Sequence, residues 1–255
     1  MIEAKNICFS YGAKQILKNI DFKAEKGELV GIIGPNGCGK TTFLRLLSRM
    51  STPEVGTLSL DGVPLGEIPH MHFARQVSFF SQTRPVPDMT VSQLVACGRY
   101  PYGGLQRGMT AADRAAVAAA LQKTELKPLA ERNVKSLSGG ERQRAYFAML
   151  LAQDTPCMLL DEPAAHMDVG RQLDMMRLLR DAADEGRCVV TVLHELPLAL
   201  DFCHRIVAME NGRIVGAGTP AELVKNDTVS RLFGVDCHAV TLDGALSYLI
   251  RPKQK

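Results

Sequence analysis

The sequence predicts an α/β fold: a phosphate-loop NTPase core with a mostly parallel sheet, an N-terminal antiparallel β subdomain and an inserted helical subdomain. Three observations predict it. An apolar run at 29–33 passes through a glycine-rich turn into a helix-spaced apolar run at 43–47, the strand–turn–helix unit of a phosphate loop. The second half of the chain alternates short apolar strands with helical patterns, which calls for a parallel sheet covered on both faces. Between the strands ending near residue 82 and starting near residue 158, the pattern is helical only.

The elements follow in order. Residues 2–9 and 15–22 read as short strands joined by Ser10-Tyr11-Gly12-Ala13-Lys14, the second with a period-two pattern at Ile16, Ile20 and Phe22. Residues 25–28 turn the chain into the strand at 29–33, and Ser51 to Gly56 break it after the first helix. Residues 57–62 form another strand closed by Asp61-Gly62, so the early region has an antiparallel character. Val77–Phe80 is a short strand followed by Ser81-Gln82 and a loop marked by Pro85 and Pro87. Thr90 with Gln93, and Thr110 with Asp113, are capping boxes opening two helices, and Leu137 to Glu141 lead into a third. Strands at 158–160 and 188–193, a helix near 170–185, a hairpin around Asn211-Gly212 and a helix at 220–225 complete the alternation. The tail after about residue 226 carries no clear pattern. The expected organisation is a single domain, with 1–83 and 153–255 as core and 84–152 as the helical subdomain.

Composition narrows the function. The 255 residues are 46% hydrophobic and 22% charged with a net charge of +3, ordinary for a globular chain and too weakly basic to argue for nucleic acid. No apolar run approaches the ~20 residues needed to span a bilayer, and the N-terminus has no signal-like apolar region. The expectation is a chain neither exported by a standard signal nor inserted in a membrane alone. Seven cysteines without a C-x-x-C pair read as reduced core thiols in a cytosol.

Gly34-Pro35-Asn36-Gly37-Cys38-Gly39-Lys40-Thr41-Thr42 contains G-x-x-x-x-G-K-[ST]. Its glycines let successive N–H groups point at a polyphosphate, and the helix starting near Gly39 adds its positive end. Lys40 supplies a point charge for the β- and γ-phosphates, and Thr41 offers a hydroxyl to Mg²⁺. Cys38, beside Lys40 at a helix start, is expected to have a lowered thiol pKa and to be reactive. Three further strands also end in polar residues: one in Gln82, one in Asp161-Glu162, one in His194. Ligands of open α/β sheets bind at such carboxyl ends. Asp161 suits Mg²⁺, and Glu162 suits polarising a water. Tyr11 is either a turn aromatic or a stacking face for an adenine ring. Ser138-Gly139-Gly140 opens a helix and so offers a second backbone anion site.

Together these residues resemble the ATP-binding subunit of ATP-binding-cassette transporters, over nearly the whole chain. The aromatic position of that family fits Tyr11, Walker A fits Gly34 to Thr42, and the glutamine loop fits Gln82. The signature motif fits Leu137 to Glu141, Walker B fits Cys157 to Asp161 followed by Glu162, the D-loop aspartate fits Asp168 and the switch histidine fits His194. Three departures stand out: Ala164 replaces a small hydroxyl residue, the D-loop reads Ala165-His166-Met167-Asp168, and Glu195 replaces an aspartate. Within the family, residues 91–102 and 150–156 look like the iron-complex, haem and vitamin B12 importers.

The resemblance implies a head-to-tail homodimer holding two Mg-ATP, each phosphate loop facing the other subunit's Ser138-Gly139-Gly140. Glu162 would activate water, with His194 and Gln82 at the γ-phosphate, water or metal. It also implies transmembrane permease subunits, a substrate-binding protein that delivers cargo, a place on the cytoplasmic face of the membrane and no nucleic-acid partner. An export ATPase shares every catalytic motif, and a soluble ATPase acting on ribosomes or DNA is a second alternative. Because Gln82 precedes the helical insertion, residues 83–102 are the expected permease contact, with Arg99 and Tyr102 as its anchors.

Overall fold

The computed structural model describes residues 1–82, 84–103, 108–165, 167–242 and 245–253. Its centre is a six-stranded sheet, built from β3 (Leu29–Ile33), β6 (Val77–Phe80), β7 (Cys157–Asp161), β8 (Cys188–Val192), β9 (Arg205–Glu210) and β10 (Arg213–Gly218). The strand order is β10-β9-β3-β8-β7-β6. All neighbours pair in parallel except β10, which returns antiparallel to β9. Every residue of β3, β7 and β8 is buried, which is why these strands are apolar but for Thr191 and the terminal Asp161. Their side chains still alternate between two cores. Leu29, Ile33, Met158, Leu160 and Val189 join one, and Val30, Ile32, Leu159, Val190 and Val192 join the other.

The second core is closed by an antiparallel sheet of β1 (Ile2–Tyr11), β2 (Lys14–Ala24), β4 (Val55–Leu60) and β5 (Val63–Pro64), in the order β2-β1-β4-β5. Between the two sheets lies α1 (Lys40–Leu47), whose Phe43 is fully buried edge-on to Phe22 at 5.2 Å. The α2 helix (His70–Gln76) leads into β6.

The first core is closed by α3 (Val91–Cys97), α4 (Ala111–Lys123), α5 (Gly139–Gln153) and α6 (Val169–Asp184). Thr90, Thr110 and Ser138 each cap their helix in a capping box. After β8, α7 (Leu196–Phe202) precedes β9, and α8 (Pro220–Lys225) follows β10.

One stretch that the sequence left open is filled in here, and one expectation is corrected. The tail carries defined elements: α9 (Thr228–Phe233) is followed by an antiparallel pair of β11 (Val235–Leu242) and β12 (Ala245–Pro252), in register from Val235↔Pro252 to Leu242↔Ala245. Arg99 is no surface anchor. It is 8% exposed, its Nε donates to Asp113 Oδ1 at 2.8 Å, and its Nη1 donates to the Ala152 carbonyl at 2.9 Å. Tyr102 stacks on this guanidinium with its centroid 3.8 Å away and donates its hydroxyl to the Gln153 carbonyl at 3.0 Å. Hydrogen bonds from Thr110, then from Arg99, hold the Asp113 carboxyl down to about 2. These residues fasten α3, α4 and the end of α5 together.

Cys38 is also corrected. It is 7% exposed, turned into the core with Leu44 and Met209 in the same cluster. Burial pushes its thiol above the ordinary value, outweighing Lys40. The loop turns its backbone, not this side chain, toward the cleft.

Two outcomes follow from this packing. Maleimide at neutral pH should modify Cys8 and Cys97, the two half-buried cysteines, well before Cys38, which labels only on unfolding; mass mapping of a time course reads this, and early modification of Cys38 would contradict its placement. Arg99→Ala leaves Asp113 buried without its cation and should lower Tm by about 5–10 °C, whereas a surface arginine shifts it little; differential scanning calorimetry separates the two.

Candidate functional site

The carboxyl ends of β3, β6, β7 and β8 open on one cleft of about 660 Å³. Lining it are Asn36, Gly37, Gly39, Lys40, Thr41 and Thr42 of the loop, together with Gln82, Glu162 and His194. This volume lies in the range of small-molecule sites. The chain reaches it through positive φ at the loop glycines. At Gly34, φ is +153° and a Cβ would stand 2.1 Å from the Met209 carbonyl oxygen, so no other residue fits. Gly39, at φ +110°, turns the chain into α1. From the far side the hairpin tip braces the loop: Gly212 N–H donates to the Cys38 carbonyl at 3.1 Å, and Lys18 N–H donates to the Gly212 carbonyl at 2.8 Å. A Cβ on Gly212 would lie 2.1 Å from the Ile16 carbonyl oxygen.

Lys40 is 5% exposed, and its Nζ donates to the carbonyls of Gly34 at 2.8 Å and Pro35 at 3.1 Å. The ammonium is thereby aimed along the loop. Thr41 Oγ1 donates to Asp161 Oδ1 at 3.1 Å. Asp161 is almost wholly buried, and burial raises its carboxyl pKa, with the Thr41 bond opposing. A buried carboxylate beside a hydroxyl is a hard-oxygen donor set that suits Mg²⁺. Among the described residues no three His, Cys, Asp or Glu side chains gather into a cage, and Mg²⁺ in nucleotide sites draws its other ligands from phosphates and water.

Glu162 follows the strand in the left-handed region at φ +51°, its N–H donating to the Val192 carbonyl at 3.2 Å. This turn, rather than strand alternation alone, separates its side chain from that of Asp161. One carboxylate oxygen accepts from Gln82 Nε2 at 2.9 Å, and the other pairs with His194 Nε2 at 2.5 Å. Three residues read separately from the sequence thus form one hydrogen-bonded unit across the ends of β6, β7 and β8.

Other candidates stand elsewhere. Ser138 caps α5: its hydroxyl accepts from Glu141 N–H at 3.3 Å, while Glu141 Oε2 accepts from Ser138 N–H at 2.8 Å. The free donors at that end are those of Gly139 and Gly140. None of the three lines the phosphate-loop cleft, and Gly139 lines a neighbouring one. Asp168 caps α6, accepting from Arg171 N–H at 3.0 Å, and His166 beside it lies outside the described residues. Tyr11 is 48% exposed, edge-on to Phe9 at 4.9 Å, and does not line the cleft. The sequence reading missed Lys14 and Ile16, which do line it at the start of β2; a lysine three residues after the turn aromatic was the available signal.

A family model described as ABC transporter matches residues 17–165. The chain is 38% identical over 238 residues to the ferric enterobactin transport ATP-binding protein FepC of Escherichia coli, spanning 92% of this chain and 88% of that protein. It is 39% identical over 244 residues to the probable siderophore transport system ATP-binding protein YusV of Bacillus subtilis, spanning 95% and 88%. To the hemin import ATP-binding protein HmuV of Nocardia farcinica it is 38% identical over 222 residues, spanning 87% and 76%. Among solved structures, the inward-facing conformation of a metal-chelate type ABC transporter matches in fold with a TM-score of 0.84 at 24% identity, over 100% of this chain and 98% of that one. The dimeric structure of MJ0796, a bacterial ABC transporter cassette, matches with a TM-score of 0.75 at 27% identity, over 86% and 99%. A phosphate loop and a Gln–Glu–His unit meeting at one sheet edge, in a chain that aligns over nearly its full length with transport ATP-binding proteins, place it in a single family: it belongs to the ABC transporters and is one of their ATPases.

Proposed function

We propose that this chain hydrolyses ATP to energise a membrane permease that imports an iron complex or haem. The observation that carries the mechanism is the bonded unit of Gln82, Glu162 and His194 at the mouth of the phosphate-loop cleft. The relatives' names, ferric enterobactin transport and hemin import among them, support the cargo class over export.

The loop N–H groups and Lys40 hold the phosphates of ATP, with Lys40 exchanging its two carbonyl partners for phosphate oxygens. Thr41 and Asp161, with the Gln82 side-chain oxygen, would hold Mg²⁺, which neutralises charge on the β- and γ-phosphates when bound. Glu162 accepts the proton of the attacking water. For that it must release at least one oxygen from Gln82 or His194, and a γ-phosphate that draws those two donors to itself does this. Hydrolysis is thereby tied to a filled site.

The signature residues support a dimer. Ser138, Gly139 and Gly140 lie outside this chain's own phosphate-loop cleft, so they complete a second copy's site in a head-to-tail pair, and the dimeric cassette of MJ0796 is in keeping with this. Asp168 and Tyr11 act in the same assembly, the first near the dimer seam and the second against the adenine. A substrate-binding protein delivers cargo to the permease, and the ATPase works at the cytoplasmic face of the membrane. No helix among the described residues is long and apolar enough to cross it.

The permease contact is redrawn from Arg99 and Tyr102 to side chains that reach solvent: Tyr100 at 52% exposure, Met71 on α2, which packs against the turn at 100–102, and Val86 earlier in the same segment. Exposed apolar and aromatic groups of this kind mark interfaces.

Glu162→Gln should bind ATP with wild-type affinity while turnover falls by ~10²–10⁴, the usual worth of a general base. A phosphate-release assay beside equilibrium binding decides it; near-normal turnover would remove Glu162 from the mechanism. Tyr100→Ala with Val86→Ser should leave hydrolysis by the isolated subunit intact, yet reduce copurification with the permease and cargo-stimulated hydrolysis. Unchanged transport would place the coupling surface elsewhere.

A further inference from the structure

Arg84 stands two residues after Gln82, and nothing in the reaction above uses it. Its guanidinium carbon lies 3.6 Å from the Phe80 ring centroid and 4.9 Å from that of Tyr146. Phe80 ends β6, and Tyr146 stands on α5, the helix that Ser138 caps. The cation therefore bridges the strand that delivers Gln82 and the helix that delivers Ser138-Gly139-Gly140. A second bond joins the same two segments, the Tyr146 hydroxyl donating to the Pro85 carbonyl. About one turn earlier on the same helix, Gln143 Nε2 donates to the carbonyls of Glu162 and Pro163. Helix α5 is thus tied to the chain beyond Gln82 and to the chain at Glu162, two residues that bond each other.

The choice of arginine is informative. Its Nη1 is buried and has no hydrogen-bond partner among the described residues. Burial also lowers its pKa, to about 10. An unpaired buried N–H costs free energy, so an apolar side chain would fill this gap more favourably. What the guanidinium adds is directional attraction to two ring faces, strongest where water is excluded. Beside the stack, Gln82, Arg84, Gly139 and Arg142 line a cleft of about 310 Å³. The seam is therefore not packed solid beside the stack; deeper in, Phe80 meets Phe147 edge-on at 6.4 Å, so the stack is the tie that stands on the side of Gln82 and Gly139.

We propose that Arg84 is a positioning residue: its stack between Phe80 and Tyr146 fixes where Ser138-Gly139-Gly140 stand relative to Gln82, and so whether two half-sites meet in register. The proposal rests on the functional reading above. Arg84 touches no reacting atom, and nucleotide binding to the phosphate loop of one subunit does not need it. Turnover does.

The test uses the full chain. Wild type and Glu162→Gln are assayed first; a wild type without ATP hydrolysis, or Glu162→Gln at wild-type turnover, breaks the functional reading and the positional role with it. With that pattern normal, Arg84→Ala should lower kcat about tenfold, the scale of one desolvated cation–π contact, while the Kd of a fluorescent ATP analogue changes less than about twofold. Arg84→Lys, which keeps a cation over the rings, should recover kcat to within about threefold of wild type. Arg84→Met, which fills the space without charge, should not recover it. Tyr146→Leu, which also removes the hydroxyl bond to the Pro85 carbonyl, should lower kcat at least as far as Arg84→Ala, and combining the two should cost less than the sum of the single effects, because the Arg84–Tyr146 contact is shared. Wild-type kcat in Arg84→Ala, recovery by Arg84→Met, or nucleotide affinity falling in step with kcat overturns the positional role alone. Should Arg84→Ala fail to fold, the contrast between lysine and methionine decides.

Discussion

The Glu162 carboxylate joins the ends of three strands. Gln82 follows β6, His194 follows β8 and Glu162 itself follows β7, and both of its oxygens are engaged. The arrangement exists only because the parallel sheet delivers these strands side by side with their carboxyl ends together. Parallel pairing in turn requires both faces to be covered, since crossovers put helices on both sides. The two cores, the antiparallel sheet over one face and the helical insertion over the other are therefore conditions for the site as well as sources of stability. With both oxygens bonded, the Glu162 carboxylate has no free face toward the cleft unless Gln82 or His194 moves.

The same logic separates what the sequence displayed from what it concealed. Fully buried strands are continuous apolar runs, so β3, β7 and β8 stood out, and the polar residue after each marked the sheet edge. Capping boxes at Thr90 and Thr110 were legible because they are local, closing over three residues. Arg99 was misjudged because its partner, Asp113, is contributed by another helix, and only packing brings them together. An arginine flanked by tyrosines looks alike at an interface and in a buried stack. Cys38 was misjudged because backbone dihedrals at the loop glycines, not neighbouring charges, decide which way its side chain turns.

The C-terminal hairpin was missed for a related reason. Of β11 only Cys237 is fully buried, and most other residues of the strand are exposed, so no period-two signal builds up. Asp243-Gly244 is a turn-prone pair by composition, though it lies outside the described residues. The bonds among Gln82, Glu162 and His194 could not be read from sequence at all. Each residue was legible as a strand-end polar group, but their joining depends on the spacing of β6, β7 and β8 and on the left-handed turn at Glu162.

The β9–β10 hairpin looks peripheral: its tip, Asn211-Gly212, is a two-residue turn at the end of an edge pair. Such tips ordinarily accept insertions, tags and sequence drift. This one does not have that freedom. Gly212 is wedged against Ile16 and hydrogen-bonded to the Cys38 carbonyl within the phosphate loop, so lengthening the turn would pull on that loop. A chain redesigned to carry a reporter or a crosslink near the phosphate-loop cleft would have to leave this turn untouched, and the exposed residues His238 to Leu242 of β11 are the better place to begin.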